Sequence, residues 1–118
     1  MPRAAAVIAM ALLIAAGSAR AGVGEDAYRE QCASCHALNG VSTPEGPSLN
    51  GVVWRKIAAL ADFPYSPGLK AKRGTWTPGM LDAYLKDTQG FAPGTDMFWD
   101  LRDDVKRRAI IDYLKSIK

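Results

Sequence analysis

At 118 residues, 48% of them hydrophobic, the chain has room for one domain at most. Its formal charge of +3 shrinks when Arg3 and Arg20 in the first 21 residues are set aside, because the 15 basic residues become 13 against 12 acidic ones, a net +1. No basic stripe with interleaved aromatics is present, and the densest cluster (Lys70, Lys72, Arg73) reads as a solvated loop, so nucleic acid is excluded as a partner.

The chain opens on Met1-Pro2-Arg3, a short positive start, followed by an almost unbroken apolar run from Ala4 to Gly17. Ser18-Ala19-Arg20-Ala21 then offers small residues in the A-x-A arrangement that a signal peptidase accepts. The run falls short of the roughly 20 apolar residues that a spanning helix needs. Residues 1–21 therefore read as an export signal cleaved after Ala21, rather than as an uncleaved anchor or a buried helix. Residues 22–118 would form one exported domain in the periplasm or an equivalent compartment, with no stable membrane insertion. A domain this short is marginal on a hydrophobic core alone, and two cysteines three positions apart close too small a loop to help. A flat apolar cofactor would supply the missing core.

Strand-like alternation never runs beyond three or four residues, whereas helical periodicity is clear in three places. The first is roughly Gly24 to Ala33, with Tyr28 and Cys32 four apart on one face. The second begins at Thr77-Pro78, a capping residue followed by a proline suited to the first helical position. Leu81, Tyr84 and Leu85 form its stripe, and Asp82 and Lys86 are placed to pair on the outside. The third runs from about Asp103 to Ile117, with Val105, Ala109, Ile110, Tyr113, Leu114 and Ile117 on one face and Asp104, Arg108 and Asp112 on the other. Asp103 or Asp104 suits its start, and Lys115 and Lys118 suit its end. The Gly- and Pro-rich loops Asn39–Gly51 and Ala61–Gly74 are long enough to wrap something functional. The expected fold is all-α, with irregular loops around a central object.

Cys32-Ala33-Ser34-Cys35-His36 is the C-x-x-C-H signature of covalent haem attachment. Two thiols one turn apart can each add to a vinyl group on one porphyrin edge, and the following histidine can reach the iron. A thioredoxin-like redox pair would follow a strand and open a helix, but a helical stretch precedes this motif. A structural zinc site needs four ligands, and the chain holds two cysteines and one histidine. A simple disulfide is the remaining alternative. Because His36 is the only histidine, bis-histidine ligation within the chain is excluded, which leaves methionine, lysine, the N-terminal amine or water for the sixth position. After residue 21 the methionines are Met80 and Met97. Met80 sits beside an apolar helical stripe and reads as core. Met97 lies in Phe91-Ala92-Pro93-Gly94-Thr95-Asp96-Met97, a helix-breaking loop able to aim one side chain inward, and is the expected ligand.

With Gly46-Pro47-Ser48-Leu49, Phe63-Pro64-Tyr65, Thr75-Trp76, Pro93 to Met97 and Tyr113-Leu114-Lys115 following Cys32 to His36 in order, the sequence resembles the class I, mitochondrial-type cytochromes c across 22–118. That resemblance implies three main helices plus short ones around one haem c, bound through Cys32 and Cys35 and ligated by His36 and Met97. It implies a monomeric one-electron carrier between redox protein partners, not an enzyme. It further implies that the Pro47 carbonyl receives the His36 ring N–H, that Arg55, Tyr65 and Trp76 hold a buried propionate, that Tyr84 lies near Met97, and that Thr95 bonds near a propionate. Gly24, Tyr28 and Tyr113 would mark the crossing of the first and last helices. The sequence also departs from the pattern. Leu69 stands where many relatives carry a polar residue, and Gln31, Gln89, Asp96 and Asp103 stand where lysines often ring the haem edge. Trp99 occupies a position where an aromatic covers that edge. Asp96 and Asp100, with no evident capping duty, point to a partner with a neutral, apolar or basic docking face.

Overall fold

The computed structural model describes residues 3–9, 11 and 16–118, with only the backbone described for 16–21. The apolar run read as an export signal therefore falls partly outside the described residues. Where it is described, 3–9 and 11 are exposed and lack regular structure. No helix among the described residues is long and apolar enough to cross a membrane.

Five helices make up the regular structure of the described residues, in the order α1 (Ala16–Gln31), α2 (Pro67–Lys70), α3 (Pro78–Lys86), α4 (Thr88–Phe91) and α5 (Asp104–Lys115). Among the described residues, the one strand-like feature is an isolated antiparallel bridge between Lys56 and Thr75. The fold is all-α, as expected.

Helix α1 starts eight residues before the expected Gly24 and stops two short of Ala33. The early start has a local cause: Ala16, Ala19, Arg20 and Ala21 favour helix and no proline interrupts them. At the other end the amides of Cys32 and Ala33 both donate to Tyr28 O, at 2.8 and 3.1 Å, which tightens the last turn. The amides of Cys35 and His36 then both return to Cys32 O, at 3.2 and 3.1 Å. The cysteine motif is thus a compact turn at the end of a helix.

Helix α1 crosses α5 at Gly24. A Cβ at that position would lie 2.5 Å from Ala109 O and 2.8 Å from Tyr113 Cβ, so only glycine permits this approach. Tyr28 and Tyr113 pack beside the crossing with ring centroids 5.7 Å apart. Asp103 caps α5 by accepting from the amides of Val105 and Lys106, both at 3.0 Å.

The buried face of α5 differs from the periodic reading. Arg107, Ile110, Ile111 and Leu114 are buried, whereas Val105 is 72% exposed. Arg107 goes inside because partners meet it there. Its guanidinium donates to Asp82 at 2.6 Å, to Asp104 at 2.6 Å and to Leu101 O at 2.9 Å. Asp82 therefore joins α3 to α5 through Arg107, in place of the expected pairing with Lys86.

Helix α3 begins as read, with Thr77 Oγ1 accepting from Met80 N at 3.1 Å and Pro78 in its first turn. The short α2 is capped by Ser66, and α4 by Asp87. Between α1 and α2 the chain is held by side chains. Thr43 Oγ1 donates to Cys35 O at 2.5 Å and accepts from the amides of Glu45 and Gly46. Trp54 takes φ 73°, which is rare for so bulky a residue. The bend there lets Trp54 N donate to Trp76 O at 2.8 Å while Trp76 N donates to Arg55 O at 2.7 Å.

Candidate functional site

The core does not close on itself. Ile110, Leu114, Leu81, Val52, Leu69 and Leu49 line a cavity of about 340 Å³, within the range typical of cofactor sites. Each site residue expected from sequence borders it: Cys32, Cys35, His36, Pro47, Arg55, Tyr65, Trp76, Tyr84, Thr95 and Met97.

The two thiols lie at its mouth, Cys32 half-buried and Cys35 exposed, with no disulfide between them. Burial, helped by the neighbouring Cys35, pushes the Cys32 thiol up to about 11. A thiol–disulfide enzyme needs the opposite, a nucleophile whose pKa is depressed. His36 Nδ1–H donates to Pro47 O at 2.8 Å, which fixes the tautomer and leaves Nε2 as the free lone pair. Burial lowers the imidazole pKa, and the bond to Pro47 opposes that shift. Gly46 packs flat on the ring: a Cβ there would lie 2.6 Å from His36 Cε1. Behind the ring, Tyr28 donates its hydroxyl to His36 O at 3.3 Å.

Arg55 and Tyr65 lie near each other, and both border the cavity, as does Trp76. Arg55 is half-buried and donates to Ser48 O at 2.7 Å and Asn50 O at 3.4 Å. The Tyr65 hydroxyl accepts from Leu60 N at 3.3 Å and so keeps its own proton to donate. A guanidinium, a phenol and an indole N–H at the edge of an apolar cavity suit carboxylates that would otherwise be costly to bury. Leu69 is buried at the wall and adds no polar group.

Met97 reaches the cavity from a loop tied at several points. Gly94 takes φ 82°, and Thr95 N donates to Ala92 O at 2.9 Å. Tyr84 and Thr95 share a buried hydroxyl–hydroxyl bond of 2.6 Å. Gln89 clamps the loop, its Nε2 donating to Thr95 O at 2.8 Å and its Oε1 accepting from Gly94 N at 3.1 Å. Met80 packs partly buried against the core and does not border the cavity. Sequence reasoning placed Gln89 only on a docking rim and missed this clamp, which no periodicity encodes. It also missed the packing of Trp76 against Tyr84 and Phe91, with centroids 5.2 and 5.7 Å away. Asp100 corrects another expectation. Its Oδ1 accepts from Thr88 N at 2.9 Å and Thr88 Oγ1 at 3.0 Å, so it has a structural duty that holds its carboxyl below the usual range.

The donor set fits a haem attached through two thioethers. A thiol pair, an oriented imidazole and a thioether border one apolar cavity, together with a guanidinium, a phenol and an indole.

Comparison with known proteins points the same way. Residues 22–118 match the family described as Cytochrome c. Cytochrome c of Tetrahymena pyriformis is 42% identical over 98 residues, covering 82% of this chain and 88% of that protein. Cytochrome c-type cyt cy of Rhodobacter capsulatus is 38% identical over 102 residues, 86% of this chain, which spans only 50% of that longer protein. Among solved structures, cytochrome cH from Methylobacterium extorquens superposes with a TM-score of 0.74 at 37% identity, covering 81% of this chain and 97% of that one.

Proposed function

The chain belongs to the cytochrome c family, mono-haem carriers of single electrons with one covalently attached haem c, and from that premise we propose how its own residues do the work. Cys32 and Cys35 would anchor the group, and His36 and Met97 would ligate its iron. Pro47 orients His36, while Arg55, Tyr65 and Trp76 receive propionate oxygens. Tyr84 and Thr95 hold the Met97 loop. Haem c supplies the one-electron ferric–ferrous couple. With an imidazole and a thioether both committed to the iron, no open position would be offered to a substrate, so the role would be carriage rather than catalysis. The convergence of all ten residues on one cavity carries this reading.

The reading extends to processing. Residues 1–21 act as an export signal cleaved after Ala21, and 22–118 work as a monomer in the periplasm or an equivalent compartment. The family match beginning at residue 22 supports that boundary. Protein made in a host with haem-attachment machinery should begin at Gly22 and carry the mass of one haem that survives denaturation, as intact-mass spectrometry would read. An unmodified chain, or a haem lost in acid and organic solvent, sinks the covalent site.

The redox partner should present a neutral, apolar or basic face. Phe98 is 79% exposed and Trp99 52% exposed beside the mouth, and Asp96 is exposed between them and the Thr95 anchor. Since Asp100 supports Thr88, Asp96 is the cleaner probe. Asp96→Lys should slow transfer to the native partner at low ionic strength, with salt shrinking the difference. Stopped-flow rates that rise instead would assign an acidic partner.

A further inference from the structure

The segment that carries Met97 is fixed at both ends. Before it, Thr95 is held by Tyr84 and Gln89. After it, Asp100 grips Thr88, and Leu101 N donates to Leu85 O at 2.7 Å. Between these anchors little burial holds the chain, since Phe98 and Trp99 are largely exposed. Met97 N has only a long contact, 3.5 Å, to Thr95 Oγ1.

Among the described residues, one hydrogen bond reaches this span from across the mouth. Trp99 Nε1–H donates to Gln31 Oε1 at 3.2 Å. Gln31 is the last residue of α1, directly before Cys32, and both Gln31 and Trp99 border the cavity. The neighbouring Lys106–Glu30 pair, at 3.2 Å, joins α5 to α1 and does not reach the span. Its side chains are 43% and 59% exposed, and such pairs contribute little.

We propose that Gln31 is a positioning residue for Met97. By tying the Trp99 indole to the end of α1, it keeps the 96–99 span closed across the mouth and the thioether presented to the cavity. The inference rests on Met97 being the iron ligand. The span is short and anchored twice, so it has few alternatives to the closed form, and one added bond biases it measurably. The bond is exposed, so its net contribution falls at the low end for a neutral hydrogen bond, a shift of about twofold to threefold in the ratio of open to closed forms.

Imidazole added to the ferric haem-bearing protein can occupy the sixth position only when Met97 withdraws, so its binding rate reads span opening. Gln31→Leu should bind imidazole about twofold to threefold faster, with faster amide exchange at 97–99. Gln31→Glu keeps an acceptor oxygen and should behave as the native protein. Trp99→Phe keeps a ring but removes the donor. It should match Gln31→Leu, and the double variant should go no further, because both changes delete one bond. Unchanged rates in Gln31→Leu, no rescue by Gln31→Glu, or effects that multiply in the double variant would each overturn the tie. Met97→Ala separates this from the underlying assignment. If it binds imidazole no faster than the native protein, Met97 is not the ligand. If it binds fast while Gln31→Leu is unchanged, only the tie falls.

Discussion

Met97→Ala should leave the haem attached and the helices intact, abolish the methionine–iron charge-transfer band, and lower the reduction potential on the order of 0.1 V, within the ~0.8 V that axial ligation spans. The direction follows from ligand softness, since a neutral thioether favours the ferrous ion. The loop should survive because its anchors do not involve the Met97 side chain: Tyr84 and Gln89 both grip Thr95. Met80→Ala is the matched control. Met80 is only partly buried against the core, so its loss should fall near the bottom of the about 2–5 kcal/mol range for fully buried methionines, with the band and potential retained. Spectroscopy and potentiometry on the two variants decide the assignment. An exchange of phenotypes would move the ligand to Met80.

Arg107→Met should lower stability by about 2–4 kcal/mol in denaturant titration without disturbing the haem spectrum. The guanidinium is nearly inaccessible and donates to two carboxylates and a carbonyl. The figure stays below that of a fully buried pair because the side chains of Asp82 and Asp104 are 47% and 69% exposed and would rehydrate once released. Most of the loss therefore falls on the Leu101 carbonyl and on the link between α3 and α5. The hydrogen bond and charge of Arg107 hold the Asp104 carboxyl below its ordinary value of 3.8. A carboxylate with a depressed folded pKa adds stability above its unfolded pKa and loses it as the pH falls through the folded one. The gap between native and variant stability should thus narrow below about pH 4. An unchanged unfolding midpoint at neutral pH would show that Arg107 is not a structural tie.

Local chemistry was readable and cross-chain compensation was not. Cys32 to His36 declare themselves because attachment and ligation require those atoms within one turn. Thr77 and Asp103 mark helix starts because a cap acts on amides two or three residues away. Met97 emerges from counting ligands and from the Pro and Gly around it. The proposed propionate role of Arg55, Tyr65 and Trp76 came from family resemblance, since nothing in their spacing points to it. Arg107 defeated the periodic reading because hydrophobic patterning assigns arginine to solvent. Its burial depends on Asp82 in another helix and on a backbone carbonyl. Asp100 looked idle for the same reason, as its partner Thr88 lies 12 residues away. The four-residue helices α2 and α4 are too short for periodicity to register.

The hydrogen-bonded walls of the cavity also bear on how fast an electron can arrive and leave. A unit change of charge at the centre draws a response from every dipole free to turn, and that motion is the nuclear rearrangement on which transfer waits. Several of the dipoles around the cavity are held in place. His36 Nδ1–H is held by Pro47, the Tyr84 hydroxyl by Thr95, the Thr95 carbonyl by Gln89, and the Arg55 guanidinium by Ser48 and Asn50. The remaining wall combines aliphatic side chains and the packed rings of Trp76 and Tyr84 with a few polar residues such as Glu45, Ser66 and Asp96. Groups oriented in advance need not reorient when the charge changes, so these held groups help keep the barrier low. The same low barrier then serves oxidation and reduction alike, which is what a carrier obliged to both accept and surrender its electron requires.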